Sequence, residues 1–410
     1  MKCRIAGDEL KELFTLGDPY VSNFIPADST SAGKCRGDLT LAIGEESGLV
    51  QLTNNIDFDE MYRDYWYSSG TNSSMKVELR DIVESVSKNI DLSMGDKWLD
   101  IGCNDRTLLN FVQDGVLKVG ADPSNVAKKA SRGTDILIPD YFTKESVKDY
   151  GKFKVITAIA MFYDLDNPKE FLRDIYESLE DDGLFVVQMS YLPLMIEQLA
   201  FDNICHEHLT YYSLNVMRRL LDPCGFKVVD CKINDTNGGS FRVYIQKKIA
   251  DRNSFGTAPF RDVANFRVQS VSVYEESLKL ENRWTYIEFH HRVLQLKKVV
   301  LQIIKNIKSE GKSIWGYGAS TKGNTLLQFF GLDNTLIDGI AERQPKKYGL
   351  KTIGTEIPIY SEAEMRNANP DYLLILPWHF INEFKDREQD YIDNGGKLIV
   401  PCPRLEIIEK

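Results

Sequence analysis

The 410-residue chain has no apolar run approaching the roughly 20 residues needed to span a bilayer, and its first residues, MKCRIAGDELKELF, lack the apolar centre of a secretion signal. The cytoplasm is therefore the expected location. Positive charge is also in short supply, with 50 Lys and Arg against 60 Asp and Glu and a net charge of -10. Phosphate backbones and anionic lipid surfaces are held by excess Lys and Arg, so a general nucleic-acid or membrane binder is excluded, although a local basic pocket is not. The seven cysteines (Cys3, Cys35, Cys103, Cys205, Cys224, Cys231 and Cys402) contain no C-x-x-C pair, so neither a disulfide framework nor a zinc site is indicated. G-x-G-x-x-G, H-E-x-x-H and the Walker run are all missing. What remains is the composition of an ordinary soluble protein, long enough for two or three domains.

Histidine is scarce as well, and two of the five, His206 and His208, fall in one stretch, FDNICHEHLTYYS, with Glu207 between them and Tyr211 and Tyr212 after. On a strand or extended loop the two imidazoles would share one side with the carboxylate opposite, whereas on a helix the three would fan out. Imidazole titrates near neutrality and suits general acid-base work. Catalysis and a merely solvated loop both fit this spacing.

Upstream, an amphipathic helix over 75–92 leads to DKWLDIGCNDRTLLNFV. An apolar strand there carries Asp100, a turn holds Gly102, and a helix is expected to start near Thr107, the layout that binds an adenosine-containing cofactor. Asn104 and Thr107 stand where the second and third glycines of a dinucleotide fingerprint would be. A second strand ends in Asp122, whose two oxygens suit two ribose hydroxyls, and a third puts Asp140 beside an adenine. A fourth strand runs toward Met161 and is followed by the helix PKEFLRDIYESL, and a fifth, GLFVVQMS, ends near the histidine stretch. Alternation at this spacing predicts an α/β fold with a doubly wound parallel sheet, with ligands at the carboxyl ends of its strands. NGGSFRVYI, with Gly238 and Gly239, is expected to close the sheet with an antiparallel strand.

Three further regions carry weaker signals. The first 55 residues mix a short helical pattern (Leu10, Leu13, Phe14) with a strand-like run, DLTLAIGEESGLVQL. DFDEMYRDYWYSSGTNSSM reads either as a lid that closes over a ligand or as an aromatic loop packed on a neighbour. After a mixed-charge helical stretch with surface residues His290 and His291, SIWGYGASTKGNTLLQFFG repeats the strand-turn-helix theme. There Gly316, Gly318 and Gly323 surround Ser320, Thr321 and Lys322, a group able to converge on an anion. The strands LIDGIAE, PDYLLILPWHF and GKLIVPCP make this a second α/β region, either a cradle for a phosphorylated substrate or a degenerate fold used for packing.

Taken together, DKWLDIGCNDRTLL, NICHEHLTYYS, NGGSFRVYI, IWGYGASTKGNTLLQ and LLILPWHF, in that order, resemble the S-adenosylmethionine-dependent C-methyltransferases that act on nucleotide-linked keto-deoxysugars. The resemblance spans nearly the whole chain. It implies a small amino-terminal domain with the aromatic loop (1–70), a class I methyltransferase domain (71–250), a helical connection (251–308) and a Rossmann-like substrate-binding domain (309–410). The cofactor, S-adenosylmethionine, which leaves as S-adenosylhomocysteine, would meet Asp100, Gly102, Asn104, Asp122, Asp140 and Met161. The nucleotide sugar would meet Tyr65, Ser68, Ser69, Tyr212, Gly239, Ser240, Tyr317, Ser320, Lys322, Asn324, Arg343 and His379. A monomer or weak homo-oligomer is expected, with neither nucleic acid nor membrane as partner.

Two departures stand out. Where the family has two C-x-x-C pairs this chain has Cys3 with Ala6 and Gly44 with Ser47, so no zinc is expected and packing alone should hold that domain. Where the family's cofactor turn has Gly this chain has Arg106, expected to narrow the space beside the methionine part of the cofactor. By the same resemblance Glu207 and His208 match the catalytic pair and Tyr67 approaches the sugar. Carbon methylation needs a carbanion equivalent, which a 4-keto sugar supplies once its C3 proton is removed. His208 is the expected base, His206 or Tyr67 polarises the ketone, and Glu207 orients its neighbours, roles that remain exchangeable. Methylation at another carbon, or at oxygen or nitrogen, and a non-catalytic sugar-binding relative are the alternatives.

Overall fold

The computed structural model describes residues 2–56, 61, 66, 68–130, 134–251 and 253–410. Tyr65 and Tyr67 lie outside the described residues.

A seven-stranded sheet forms the centre. Its strands are β1 (Lys97–Ile101), β2 (Leu117–Ala121), β3 (Ile136–Ile138), β4 (Phe153–Ile159), β5 (Leu179–Ser190), β6 (Phe226–Asn234) and β7 (Ser240–Lys247). Their order is β6-β7-β5-β4-β1-β2-β3, with β1 to β5 parallel and β7 inserted antiparallel between β5 and β6. β4 and the second half of β5 (residues 184–190) read as mostly apolar runs because helices cover both faces. Leu79, Ile82, Val83 and Val86 of the helix Ser73–Ser87 pack with Trp98 on one face, while Phe171, Leu172 and Ile175 of the helix Pro168–Ser178 pack with Ile156 and Phe185 on the other. Each such fully buried side chain contributes about 2 kcal/mol.

The helix expected near Thr107 is absent, and only a single 3-10 turn, Leu109–Phe111, follows β1. Few residues separate the turn at Arg106 from the one at Gly115, which leaves no room for a helix and its return. The pattern at Leu10, Leu13 and Phe14 also forms a strand, Leu10–Thr15, rather than a helix. A register irregularity between Glu12 and Phe14 turns two consecutive side chains, Leu13 and Phe14, inward, and so imitates helical spacing. The long helical stretch is two helices, Ala258–Ser277 and Arg283–Ser309, and His290 stacks on Phe14 with ring centroids 4.5 Å apart rather than lying free at the surface.

The amino-terminal sheet joins Leu10–Thr15, Thr40–Gly44 and Val50–Leu52 to the short strand Thr210–Tyr211, so the end of the histidine stretch is an edge strand of this sheet. Packing is not its sole support. Asp8 Oδ2 accepts the backbone N–H groups of Glu46 (2.7 Å) and Ser47 (3.3 Å), and Cys3 Sγ lies 3.1 Å from Ser47 Oγ. A carboxylate thus ties the amino-terminal loop at Asp8 to the loop at Glu46 and Ser47.

The carboxyl-terminal sheet has six strands in the order Ile359–Ser361, Gly339–Glu342, Ile314–Tyr317, Tyr372–Ile375, Lys397–Val400 and Glu406–Ile408, parallel except for the last. Phe24–Pro26 pairs with Leu350–Thr352 and fastens the amino-terminal segment to this half. No helix among the described residues is long and apolar enough to cross a membrane.

Candidate active site

The carboxyl ends of β1 and β4 open a cleft lined by Ser69, Asp100, Gly102, Asn104, Ile159 and Asn237, among others. Asp100 is buried and accepts the Thr157 hydroxyl at 2.6 Å. Burial raises its carboxyl to about 7, against the Thr157 bond and with some help from the charge of Asp122. Gly102 has φ +69°, and a Cβ there would sit 3.2 Å from Met161 Cγ, so the turn needs glycine for both conformation and space. Asp122 accepts Asn104 N–H on one oxygen and Ser124 N–H on the other, each at 2.8 Å. A carboxylate has about four acceptor positions, so capacity for two hydroxyls is left. Asp140 is exposed at the end of β3 and accepts the N–H of Tyr141, outside the cleft lining.

Arg106 does not narrow the cleft. Its backbone is left-handed at φ +64°, but its guanidinium turns under the loop to Ala127 O at 2.7 Å and Thr134 Oγ1 at 3.0 Å. The described part of the aromatic loop, Trp66 and Ser68 to Gly70, is tied to its neighbours. Trp66 donates to Asn23 Oδ1 and Gln344 donates to the Trp66 carbonyl, while Ser69 N–H and Gly70 N–H are held by Asn104 and Asp105. Ser68 donates to Asp105.

Around His206 and Glu207 the histidine stretch is a tight turn rather than a strand or a helix, so the imidazoles part. Buried His206 donates from Nε2 to the Gly37 carbonyl at 2.8 Å, in the amino-terminal segment. His208 donates from Nδ1 to the Asn203 carbonyl at 2.8 Å, which leaves the lone pair on Nε2. Its ring meets that of Tyr163 with centroids 4.2 Å apart. Burial, then the nearby Lys322 ammonium, lowers the imidazole to about 3, so it is neutral at neutral pH. Burial raises the Glu207 carboxyl to about 7 despite a hydrogen bond from Thr321. Glu207 and His208 thus lie together with Cys205, and His206 lies apart.

Thr321 and Lys322 begin the helix Thr321–Phe330 of the carboxyl-terminal half. Lys322 Nζ donates to Asn237 O at 3.1 Å, and Asn237 also lines the cofactor cleft. Burial lowers this ammonium, against the attraction of Asp202 and Cys205. Asp202 accepts Trp378 Nε1–H at 3.0 Å, and His379 beside it keeps a buried Nδ1 without a hydrogen-bond partner. Gly238 lets this turn lie on Trp378, at 3.4 Å from where a Cβ would be. Gly239, at φ +108°, passes so close to Leu194 that a Cβ would fall 2.7 Å away, and Ser240 donates to Thr236 O.

Several residues expected at the substrate are committed elsewhere. Tyr212 is fully buried in the core, and Tyr317 donates its hydroxyl toward Glu362 and Glu388, each at 2.7 Å. Asn324 donates to Ser22 Oγ and Asn23 O, and Arg343 is exposed. The glycine-rich turn is not an open anion cradle. Its amides are taken, Gly318 N–H by Ala341 O, Ala319 N–H by Glu342 and Gly323 N–H by the capping Ser320 Oγ. Cβ atoms at Gly318 and Gly323 would fall 2.7 Å from Pro377 and 3.0 Å from Leu376, so these glycines serve close packing. Asp202, Asn203, Cys205 and Asn237 escaped the sequence reading. Only their adjacency to the histidines and to Gly238 could have pointed to them.

A methyltransferase-domain family model matches residues 72–230, and a C-methyltransferase C-terminal domain model matches residues 235–403. C-methyltransferase NovU of Streptomyces niveus is 29% identical over 416 residues, covering 99% of this chain and 96% of that protein. Among solved structures, the mitomycin 7-O-methyltransferase MmcR is similar with a TM-score of 0.35 and 19% identity, over 43% of this chain and 54% of that one. This chain thus matches about half the length of MmcR. Magnesium protoporphyrin IX methyltransferase ChlM of Synechocystis PCC 6803, solved with S-adenosylhomocysteine, is similar with a TM-score of 0.34 and 13% identity, over 46% of this chain and 92% of that one.

With the strand order and the two domain matches, the fold is that of a class I methyltransferase, and the chain is an S-adenosylmethionine-dependent methyltransferase. More narrowly, it is homologous along its length to a C-methyltransferase. The residues are compatible with that cofactor: the Gly102 turn in the cleft lining is kept clear of a Cβ, and Asp122, which like Asp140 lies outside that lining, retains acceptor capacity.

Proposed function

We propose that the chain methylates a ring carbon, C3, of a nucleotide-linked 4-keto-deoxysugar. The observation that carries this reading is the convergence of a neutral His208, its Nε2 lone pair open, with Glu207 and with Thr321 and Lys322 from the carboxyl-terminal half. Gly102 and Asn104 would hold the methionine part of the cofactor and Asp122 its ribose. The cofactor's sulfonium supplies the methyl group. His208 Nε2 takes the proton α to the ketone, which its Nδ1–H bond to Asn203 keeps in the required tautomer. One environment divides the labour: burial disfavours the charged form of both groups, and so leaves His208 a neutral acceptor and Glu207 a carboxyl that still carries its proton near pH 7. Glu207 and the Lys322 ammonium are then the donors for the developing enolate oxygen, in place of His206, which is bound to Gly37. Asp202 balances the Lys322 charge. Lys322, Ser320 and His379 would face the nucleotide sugar.

The test is incubation of candidate keto sugars with enzyme and S-adenosylhomocysteine in heavy water. Deuterium should enter C3 with the wild type and not with His208→Asn. Turnover without C3 exchange would point to methylation at oxygen or nitrogen and overturn the proposal.

A further inference from the structure

Cys205 has no part in the chemistry above, yet its Sγ, a Glu207 carboxylate oxygen and a His208 ring nitrogen lie within 4.8 Å of one another. Zinc bonds of about 2.0–2.3 Å in a tetrahedron put ligand atoms roughly 3.3–3.8 Å apart, so a small inward movement would suffice. Thiolate, imidazole and carboxylate together form a donor set for zinc-like ions, not for magnesium or calcium, which favour oxygen. His208 is also oriented as metal-bound histidines are, with Nδ1–H on a backbone carbonyl and Nε2 left to coordinate. Because Glu207 and Cys205 belong to one turn, the three donors need no domain movement to meet.

We propose that Cys205, Glu207 and His208 form a binding site for a divalent zinc-like ion, and that its occupation inhibits methyl transfer. The inhibitory part rests on His208 being the base. A metal on Nε2 takes the lone pair that would accept the substrate proton. On binding, the Cys205 thiol, and Glu207 where protonated, give their protons to solvent, so affinity rises with pH. The Lys322 ammonium, which interacts with both Cys205 and His208, opposes the cation, and Asp202 partly offsets it. Water completes the coordination.

The full-length chain is titrated with Co²⁺ as the probe. A thiolate-to-cobalt charge-transfer band is expected, lost on adding one equivalent of Zn²⁺. Cys205→Ser should abolish the band and His208→Asn should weaken Co²⁺ binding by about tenfold or more. Cys35→Ser, which removes an exposed thiol, should change neither. Zn²⁺ should raise the Tm of the wild type but not of Cys205→Ser, which guards against a folding artefact. No band, a band kept in Cys205→Ser, or a band lost in Cys35→Ser would overturn the site. Relative to its own metal-free rate, Cys205→Ser should need about tenfold more Zn²⁺ for half-inhibition. Metal binding without loss of turnover would overturn the inhibitory role, whereas a turnover-competent His208→Asn would instead overturn the base assignment.

Discussion

The two parallel sheets repeat one device and use it oppositely. In each, an acidic residue at the end of one strand accepts an N–H from the turn after the neighbouring strand: Asp122 from Asn104, and Glu342 from Ala319. Beside Asp122 the turn stays open, with Gly102 beneath Met161 and the Arg106 side chain drawn away. Beside Glu342 the space is filled. Buried Lys347 donates to Ala319 O at 2.7 Å, sits 3.4 Å from Glu342, and is covered by the Phe24 ring at 4.8 Å. The first turn keeps its acceptors and glycine clear, as the proposed cofactor site requires, while the second satisfies them internally. The second sheet instead lends the amino end of its helix, Thr321 and Lys322, to the first sheet's site.

The sharpest break in that comparison is His208→Asn, which should lower turnover by about a thousandfold or more while S-adenosylhomocysteine binding by calorimetry stays unchanged. Next, Asp122→Ala should weaken S-adenosylhomocysteine by about tenfold to a hundredfold. Glu342→Ala should leave that affinity unaltered and destabilise the fold by about 3 kcal/mol, since it strands the buried Lys347 charge. Equal effects on cofactor affinity would erase the distinction between the sheets. A pH profile is expected to show turnover falling above about 7 as Glu207 loses its proton, and Glu207→Gln should flatten that limb. Arg106→Gly should leave S-adenosylhomocysteine affinity within about twofold, because the guanidinium points away from the cleft.

The smallest effect concerns the amino-terminal sheet. Burial acts to raise the Asp8 carboxyl, but the Glu46 N–H, the Cys3 thiol and the Ser47 N–H outweigh it and hold it below the ordinary range. A depressed carboxyl stabilises the fold above its unfolded pKa, and that stability is lost as pH falls through the folded value. Asp8→Asn should therefore lower Tm at neutral pH and make little difference in strong acid. An equal loss at both pH values would mean that the carboxylate charge is not what joins these loops.

The order of strands and helices, and Asp100, Gly102 and Asp122 at the carboxyl ends, were legible because apolar runs and turn residues encode local periodicity. The Leu10–Thr15 segment was misread because a strand irregularity copies helical spacing. The helix expected at Thr107 failed because the loop is too short, a limit set by the path of the chain rather than by propensity. Glycines 318 and 323 looked like an anion cradle, but glycine also permits close packing, and only the neighbours Pro377 and Leu376 tell the two uses apart.

Sequence alone determined that a class I sheet would form and that Asp100 and Asp122 would stand at the carboxyl ends of its strands, since strand alternation and residue order suffice for that. Tertiary structure decided that His206 leaves the site for Gly37 and that Lys322 enters it from about 115 residues downstream, its ammonium meeting the carbonyl of Asn237. It also decided that buried His208 and Glu207 are driven to opposite protonation tendencies. Burial and long-range contact set these properties, and neither is a function of local sequence.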